Sequence, residues 1–129
     1  MAALNNTLTA KILIIDDNQD VLSAMSFFLE MKGFSVSTAH DGLEGLDRLK
    51  AEDHISLVLL DLWMPVMDGW EFLRHKTDDP CIVEIPVIVI SAVSPDSLDG
   101  VQAVLRKPVH PEELVDAVRR HQTPGAQAV

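Results

Sequence analysis

Two adjacent aspartates in KILIIDDNQD (Asp16, Asp17), a third in LVLLDLWMP (Asp61), a serine and an alanine in IPVIVISA (Ser91, Ala92) and a lysine and a proline in VQAVLRKP (Lys107, Pro108) share one feature: each set closes an aliphatic run. Carboxylates gathered in one place repel one another, and their pKa values rise unless a cation joins them. A hard divalent ion such as Mg²⁺ answers that need, because it accepts a few carboxylates, keeps several waters and leaves positions for phosphate oxygens. A carboxylate beside such an ion can act as a nucleophile toward phosphorus and form an aspartyl phosphate. The hydroxyl of Ser91 and the ammonium of Lys107 are groups that can each bind a phosphoryl oxygen the metal does not reach.

The elements that must bring these residues together follow from hydrophobic periodicity. KILIID (Lys11 to Asp16) has the length and β-branched content of a buried strand, and NQDVLSAMSFFLEMKG has helical spacing through Val21, Leu22, Met25, Phe28 and Leu29 before a stopping Gly33. FSVSTA alternates as a strand, the spacing predicts a helix over Asp41 to Asp53 with Leu43, Leu46 and Leu49 on one face, and ISLVLLD is a second buried strand. GWEFLRHK reads as a short helix, IPVIVISA (Ile85 to Ala92) as a buried strand and VQAVLRKP as a last short one. HPEELVDAVRRHQ opens a helix with Pro111, places two glutamates in its first turn and two arginines in its last. Strands that alternate with helices and are apolar on both faces indicate an α/β architecture, a five-stranded parallel sheet covered on each side. Ligands of such sheets bind outside the carboxyl ends of the strands, where strand order reverses. Asp16, Asp17, Asp61, Ser91 and Lys107 all fall at that rim.

Composition bounds the function. A chain of 129 residues is the size of one domain, and 47% apolar with 23% charged residues is a globular balance with enough apolar side chains for a core. The formal charge of −10 argues against a nucleic-acid surface and favours cations. The lone Cys81 allows no intrachain disulfide and reads as a loop thiol, which fits a reducing compartment. The first ten residues lack a signal-peptide pattern and no apolar stretch reaches the length of a membrane span, so a cytoplasmic location without membrane contact is expected. His40, His54, His75, His110 and His121 show no metal-ligand spacing and read as surface residues.

From KILIIDDNQD through LVLLDLWMPVMDGWEFLR and IPVIVISA to LRKPVHPEEL, the chain resembles the receiver domains of bacterial two-component response regulators. The resemblance implies a flavodoxin-like, doubly wound sheet of order 2-1-3-4-5 with helices on both faces, formed by residues 11–122 between an N-terminal extension (1–10) and a C-terminal tail (123–129). It implies that Asp61 accepts a phosphoryl group from a histidine kinase or a histidine phosphotransfer protein. Asp17 and Asp61 would bind Mg²⁺ directly, Asp16 would hold a metal-bound water, and the backbone carbonyl of Trp63 would supply a further ligand. Ser91 would move to the phosphate, Ala92 would leave room for it, Lys107 would form a salt bridge, and the Lys107–Pro108 peptide would be cis. Pro65 and Gly69 would shape the loop after Asp61. The product would be a phosphorylation-dependent switch for a downstream protein of unknown identity, catalysing only its own phosphorylation and dephosphorylation.

Two departures from the family concern the output. Lys107 follows Ser91 by only 16 positions, which after a strand and two loops leaves room for about a turn or two of helix where the family has a full fourth helix. Val104 stands three residues before Lys107, where the family places a switch tyrosine or phenylalanine. Phosphorylation is therefore expected to be retained while the signal leaves by another route, through the loop from Ser91 to Gly100 or through a different helical face. Trp63 could overhang the pocket and hinder a hydrolytic water, or pack on a neighbour or bind a partner; Trp70 reads as a packing residue, and exposure there would suggest a partner surface. Three other readings compete. A phosphorylation-independent pseudo-receiver would serve only as an interaction surface. An aspartate-nucleophile phosphatase of the haloacid dehalogenase type wants a second acid where this chain has Trp63. A flavodoxin-like nucleotide carrier wants a Gly, Ser or Thr-rich loop where this chain has the acidic DDNQD.

Overall fold

The computed structural model of the protein describes residues 11–93, 95 and 98–122; the expected extension and tail lie outside them. Strands β1 (Lys11–Ile15), β3 (Ile55–Leu60) and β4 (Val87–Ser91) consist almost wholly of Ile, Leu and Val and are buried along nearly their full length. Strands β2 (Ser35–Ala39) and β5 (Ala103–Arg106) carry polar or small residues and are partly exposed, as edge strands can be. All pair in parallel in the order β2-β1-β3-β4-β5. The expected sheet order is the one observed.

Among the described residues four helices cover the sheet: α1 (Gln19–Met31), α2 (Gly42–Ala51), α3 (Gly69–Thr77) and α4 (Pro111–His121). Because side chains alternate across a strand, β1, β3 and β4 serve two cores at once. Leu13, Ile15, Val58, Leu60, Val87 and Val89 meet α2 and α3 through Leu46, Leu49, Phe72 and Leu73. Ile12, Ile14, Leu57, Leu59, Ile88 and Ile90 meet α1 and α4 through Leu22, Leu29, Leu114 and Val118. Each fully buried aliphatic is worth about 1.5–3 kcal/mol relative to exposure, so the sheet centre dominates the stabilising side of folding.

Local signals set the helix starts. Asn18, Asp41 and Asp68 cap α1, α2 and α3 by accepting backbone N–H groups of the first turn. Helix α4 begins with Pro111 and Glu112, Glu113, and ends with Arg119 and Arg120, which complement its dipole.

Two readings of α2 need correction. Asp41 is its cap rather than its first turn, and the helix stops at Ala51 because Glu52 is extended and His54 takes φ 70° to turn the chain into β3. Leu43 is exposed, and the buried face is formed by Gly42, Gly45, Leu46 and Leu49. The last strand is also shorter than VQAVLRKP, spanning only Ala103–Arg106. Between β4 and β5, residues 92, 93, 95 and 98–102 hold no helix, while Ser94, Asp96 and Ser97 lie outside the described residues. Leu98 and Val101 of this connection pack on the α2/α3 core.

Candidate functional site

Strand order reverses between β1 and β3, and their register sets Ile15 beside Leu60. The next residues, Asp16 and Asp61, therefore emerge side by side at the carboxyl rim. The backbone fixes both: Asp61 N–H donates to the Ile15 carbonyl at 2.9 Å and Asp16 N–H to the Ala39 carbonyl at 3.1 Å. Carboxylate oxygens of Asp16, Asp17 and Asp61 all lie within 4.8 Å of one another. Two oxygens on one Mg²⁺, each about 2.1 Å from it, stand at most about 4 Å apart, so this donor set fits a shared hard cation after small side-chain adjustment. Asp16 and Asp61 are buried and Asp17 is exposed, which leaves the cluster open on one side.

Lys107 answers these carboxylates from the end of β5. Its ammonium donates to Asp16 Oδ2 at 2.9 Å and stands 3.7 Å from Asp61 Oδ1, an ion pair rather than a hydrogen bond. Burial alone would weaken the ammonium, but the hydrogen bond and charge of Asp16, with the charge of Asp61, hold the Lys107 pKa above its ordinary value. Asp61 is only 7% exposed. Burial and the charge of Asp16 push its carboxyl pKa up; Lys107 opposes the rise, Asp17 adds to it, and the Leu62 N–H opposes it. A carboxylate strained by its like-charged neighbours is the condition a bound divalent cation relieves.

Ser91 ends β4, buried, with its Oγ accepting the Val93 N–H at 3.3 Å, and its carbonyl accepts the Lys107 N–H at 2.9 Å. That backbone bond ties the serine and lysine ends of neighbouring strands together. Ala92 follows and is exposed, and the Lys107–Pro108 peptide is cis. Val104 lies on β5, 42% exposed. The loop after Asp61 is tightly folded. Gly69 N–H donates to the Leu62 carbonyl at 2.9 Å, and a Cβ on Gly69 would stand 2.7 Å from the Asp61 carbonyl oxygen, so only glycine lets α3 start so close to the acid. Met67 N–H closes a turn on the Pro65 carbonyl at 2.7 Å with Val66 at φ 69°, a strained conformation for a β-branched residue. The Met67 carbonyl accepts the Gly42 N–H at 2.9 Å and so links this loop to α2.

Trp63 is 62% exposed, and its ring meets that of Trp70 edge-on, with centroids 4.8 Å apart and planes at 73°. Packing on a neighbouring ring is thus observed for Trp63. This pairing, the Gly42–Met67 contact and the bond from the Asn18 N–H to Asp16 Oδ1 at 2.9 Å were not expected from sequence. Only the last had a signal: a short polar residue opening a helix directly after the acid pair. Of the five histidines, His40 bonds Glu44 and Gln19, and none joins the carboxylate cluster.

Comparisons with known proteins agree with the fold. The family model described as the response regulator receiver domain matches residues 12–119. The chain is 38% identical over 116 residues to the uncharacterized transcriptional regulatory protein YkoG of Bacillus subtilis (strain 168), covering 84% of this chain and 49% of that protein. It is 37% identical over 121 residues to the transcriptional regulatory protein CpxR of Escherichia coli (strain K12), covering 84% of this chain and 47% of that protein. The chain thus spans about half the length of these curated relatives. Among solved structures, chemotaxis protein CheY4 of Vibrio cholerae superposes with a TM-score of 0.81 at 27% identity over 88% of this chain and 98% of that one. With most of its length matched by the family model and its five-stranded sheet superposing on a solved member of that fold, the chain belongs to the response regulator receiver domain family, a family of signalling modules.

Proposed function

We propose that this domain is a phosphorylation-dependent switch in which Asp61 receives a phosphoryl group from a histidine kinase or histidine phosphotransfer protein. The observation that carries the reading is a buried, charge-strained carboxylate at the sheet switch point, with two further carboxylates within 4.8 Å and an ammonium at 3.7 Å. Asp17, Asp61 and the Trp63 carbonyl would hold Mg²⁺, with Asp16 on one of its waters. The ion's contribution is to neutralise the acids and draw charge from the transferring group. Asp61 forms a bond to phosphorus as the bond between phosphorus and the donor nitrogen breaks, and Lys107 and Ser91 each bind a phosphoryl oxygen. Hydrolysis by water returns the carboxylate, so the domain acts only on itself.

An apolar cleft of about 410 Å³ adjoins Lys107 between α1 and the segment after β5, lined by Val21, Ala24, Met25, Pro108 and Val109. It gives a protein donor, as opposed to a small phosphate ester, an apolar surface beside the acceptor. Readout takes a route other than an aromatic switch at position 104, since that residue is valine and no helix is described between β4 and β5. The folding unit is residues 11–122, the segments 1–10 and 123–129 flank it, and the site of action is cytoplasmic. Among the described residues no helix is long and apolar enough to cross a membrane. The test is intact-mass spectrometry after incubation with acetyl phosphate and Mg²⁺. The wild type is expected to gain one phosphoryl group and Asp61→Asn none; equal gain in both would refute the assignment of Asp61.

A further inference from the structure

The Trp63 peptide lies two residues past Asp61 in a loop that is anchored on either side of it. Leu62 is fully buried and its carbonyl accepts the Gly69 N–H, while Pro65 and Met67 close the strained turn at Val66. Between these anchors, no hydrogen bond among the described residues involves the N–H or the carbonyl of Trp63. What holds Trp63 is its indole against Trp70. Trp70 is well placed to do so. It is the second residue of α3, directly after the glycine that rests on the Asp61 carbonyl, and it is half-buried against the α2/α3 core. An edge-on aromatic contact has a preferred geometry, so it restrains orientation as well as covering area.

We infer that Trp70 is a positioning residue for the cation site: by holding the Trp63 indole it fixes the Trp63 peptide, and thereby sets how tightly the Asp16, Asp17 and Asp61 cluster binds a divalent ion. The inference rests on the proposed Mg²⁺ reading and assigns Trp70 no contact with the ion. Groups that orient metal ligands without touching the metal commonly change affinity by about 10- to 100-fold when removed. Trp70 acts through a single side-chain contact, so the lower end of that range, about tenfold, is expected.

The experiment is calorimetric titration of the intact chain with Mg²⁺ alone, comparing wild type, Trp70→Ala, Trp70→Phe and Leu73→Ala. Trp70→Ala is expected to bind about tenfold more weakly, and Trp70→Phe, which keeps an aromatic ring, is expected to stay near wild type. Leu73→Ala opens a cavity in the same helix and is expected to lower thermal stability while leaving Mg²⁺ affinity unchanged. Trp63 and Trp70 are the only tryptophans, so in both Trp70 variants Trp63 is the sole indole and its emission reports its own release: red-shifted in Trp70→Ala, not in Trp70→Phe. Wild-type affinity in Trp70→Ala, or an equal loss in Trp70→Phe or Leu73→Ala, would overturn the positioning role and leave the Mg²⁺ reading standing. Failure of the wild type itself to bind Mg²⁺ would overturn both.

Discussion

At the scale of single residues, Asp61 is held where an ionised carboxylate is disfavoured. Burial and Asp16 raise its pKa above the ordinary 3.8. In the unfolded chain the group ionises at its ordinary value, so between the two pKa values the folded state binds more protons and stability falls as pH rises. Above that window the folded protein carries the full cost of the charge. Asp61→Asn removes it, and Lys107 keeps its shorter bond to Asp16. Without divalent ions at neutral pH, Asp61→Asn is expected to melt a few degrees above wild type, the shift that about 1 kcal/mol produces in a domain of this size. The gap should close on acidification below 3.8 and narrow when Mg²⁺ is added, as followed by thermal melts. A variant less stable than wild type at neutral pH would show that the carboxylate is adequately compensated by the protein itself.

At the scale of elements, the tightest constraint is the junction of β3 and α3. A methyl group on Gly69 would press on the Asp61 carbonyl and lie 2.8 Å from the Leu62 Cα, and neither backbone atom can move without shifting the strand. Gly69→Ala is expected to destabilise the domain by about 1–3 kcal/mol, read as a lower denaturation midpoint with an unchanged slope. An unchanged midpoint would mean that α3 slides freely over the strand end. The elements themselves were largely legible: β1, β3 and β4 are uninterrupted aliphatic runs, and α1 and α4 carry both spacing and end signals. The C-terminal limit of α2 was not, because the helix-compatible residues continue to Asp53. Long-range bonds draw Glu52 out of the helix, to Lys11 of β1 and Ser37 of β2. The shortness of the β4–β5 connection was legible as a distance between two residues, which no local signal can disguise.

At the scale of the whole molecule, the site is a consequence of topology. Parallel strands place every carboxyl end at one rim, and the reversal of order at β1 and β3 brings Asp16 and Asp61 together although they stand 45 positions apart in the chain. This is why the acids, the serine and the lysine could be gathered from sequence once the strands were recognised. The Trp63–Trp70 pair could not, since its geometry depends on where the loop after Asp61 lands on α3, which follows no periodic pattern. The overall charge of −10 leaves the carboxylate cluster attractive to cations and repulsive to unneutralised phosphate, so phosphoryl transfer should depend on a divalent ion. Borohydride reduction of protein treated with acetyl phosphate, followed by peptide mapping, tests that dependence directly, because it converts an aspartyl phosphate to homoserine. Homoserine at position 61 alone, present with Mg²⁺ and absent with chelator, is the expected result; conversion at another residue, or equal conversion with and without the metal, would contradict it.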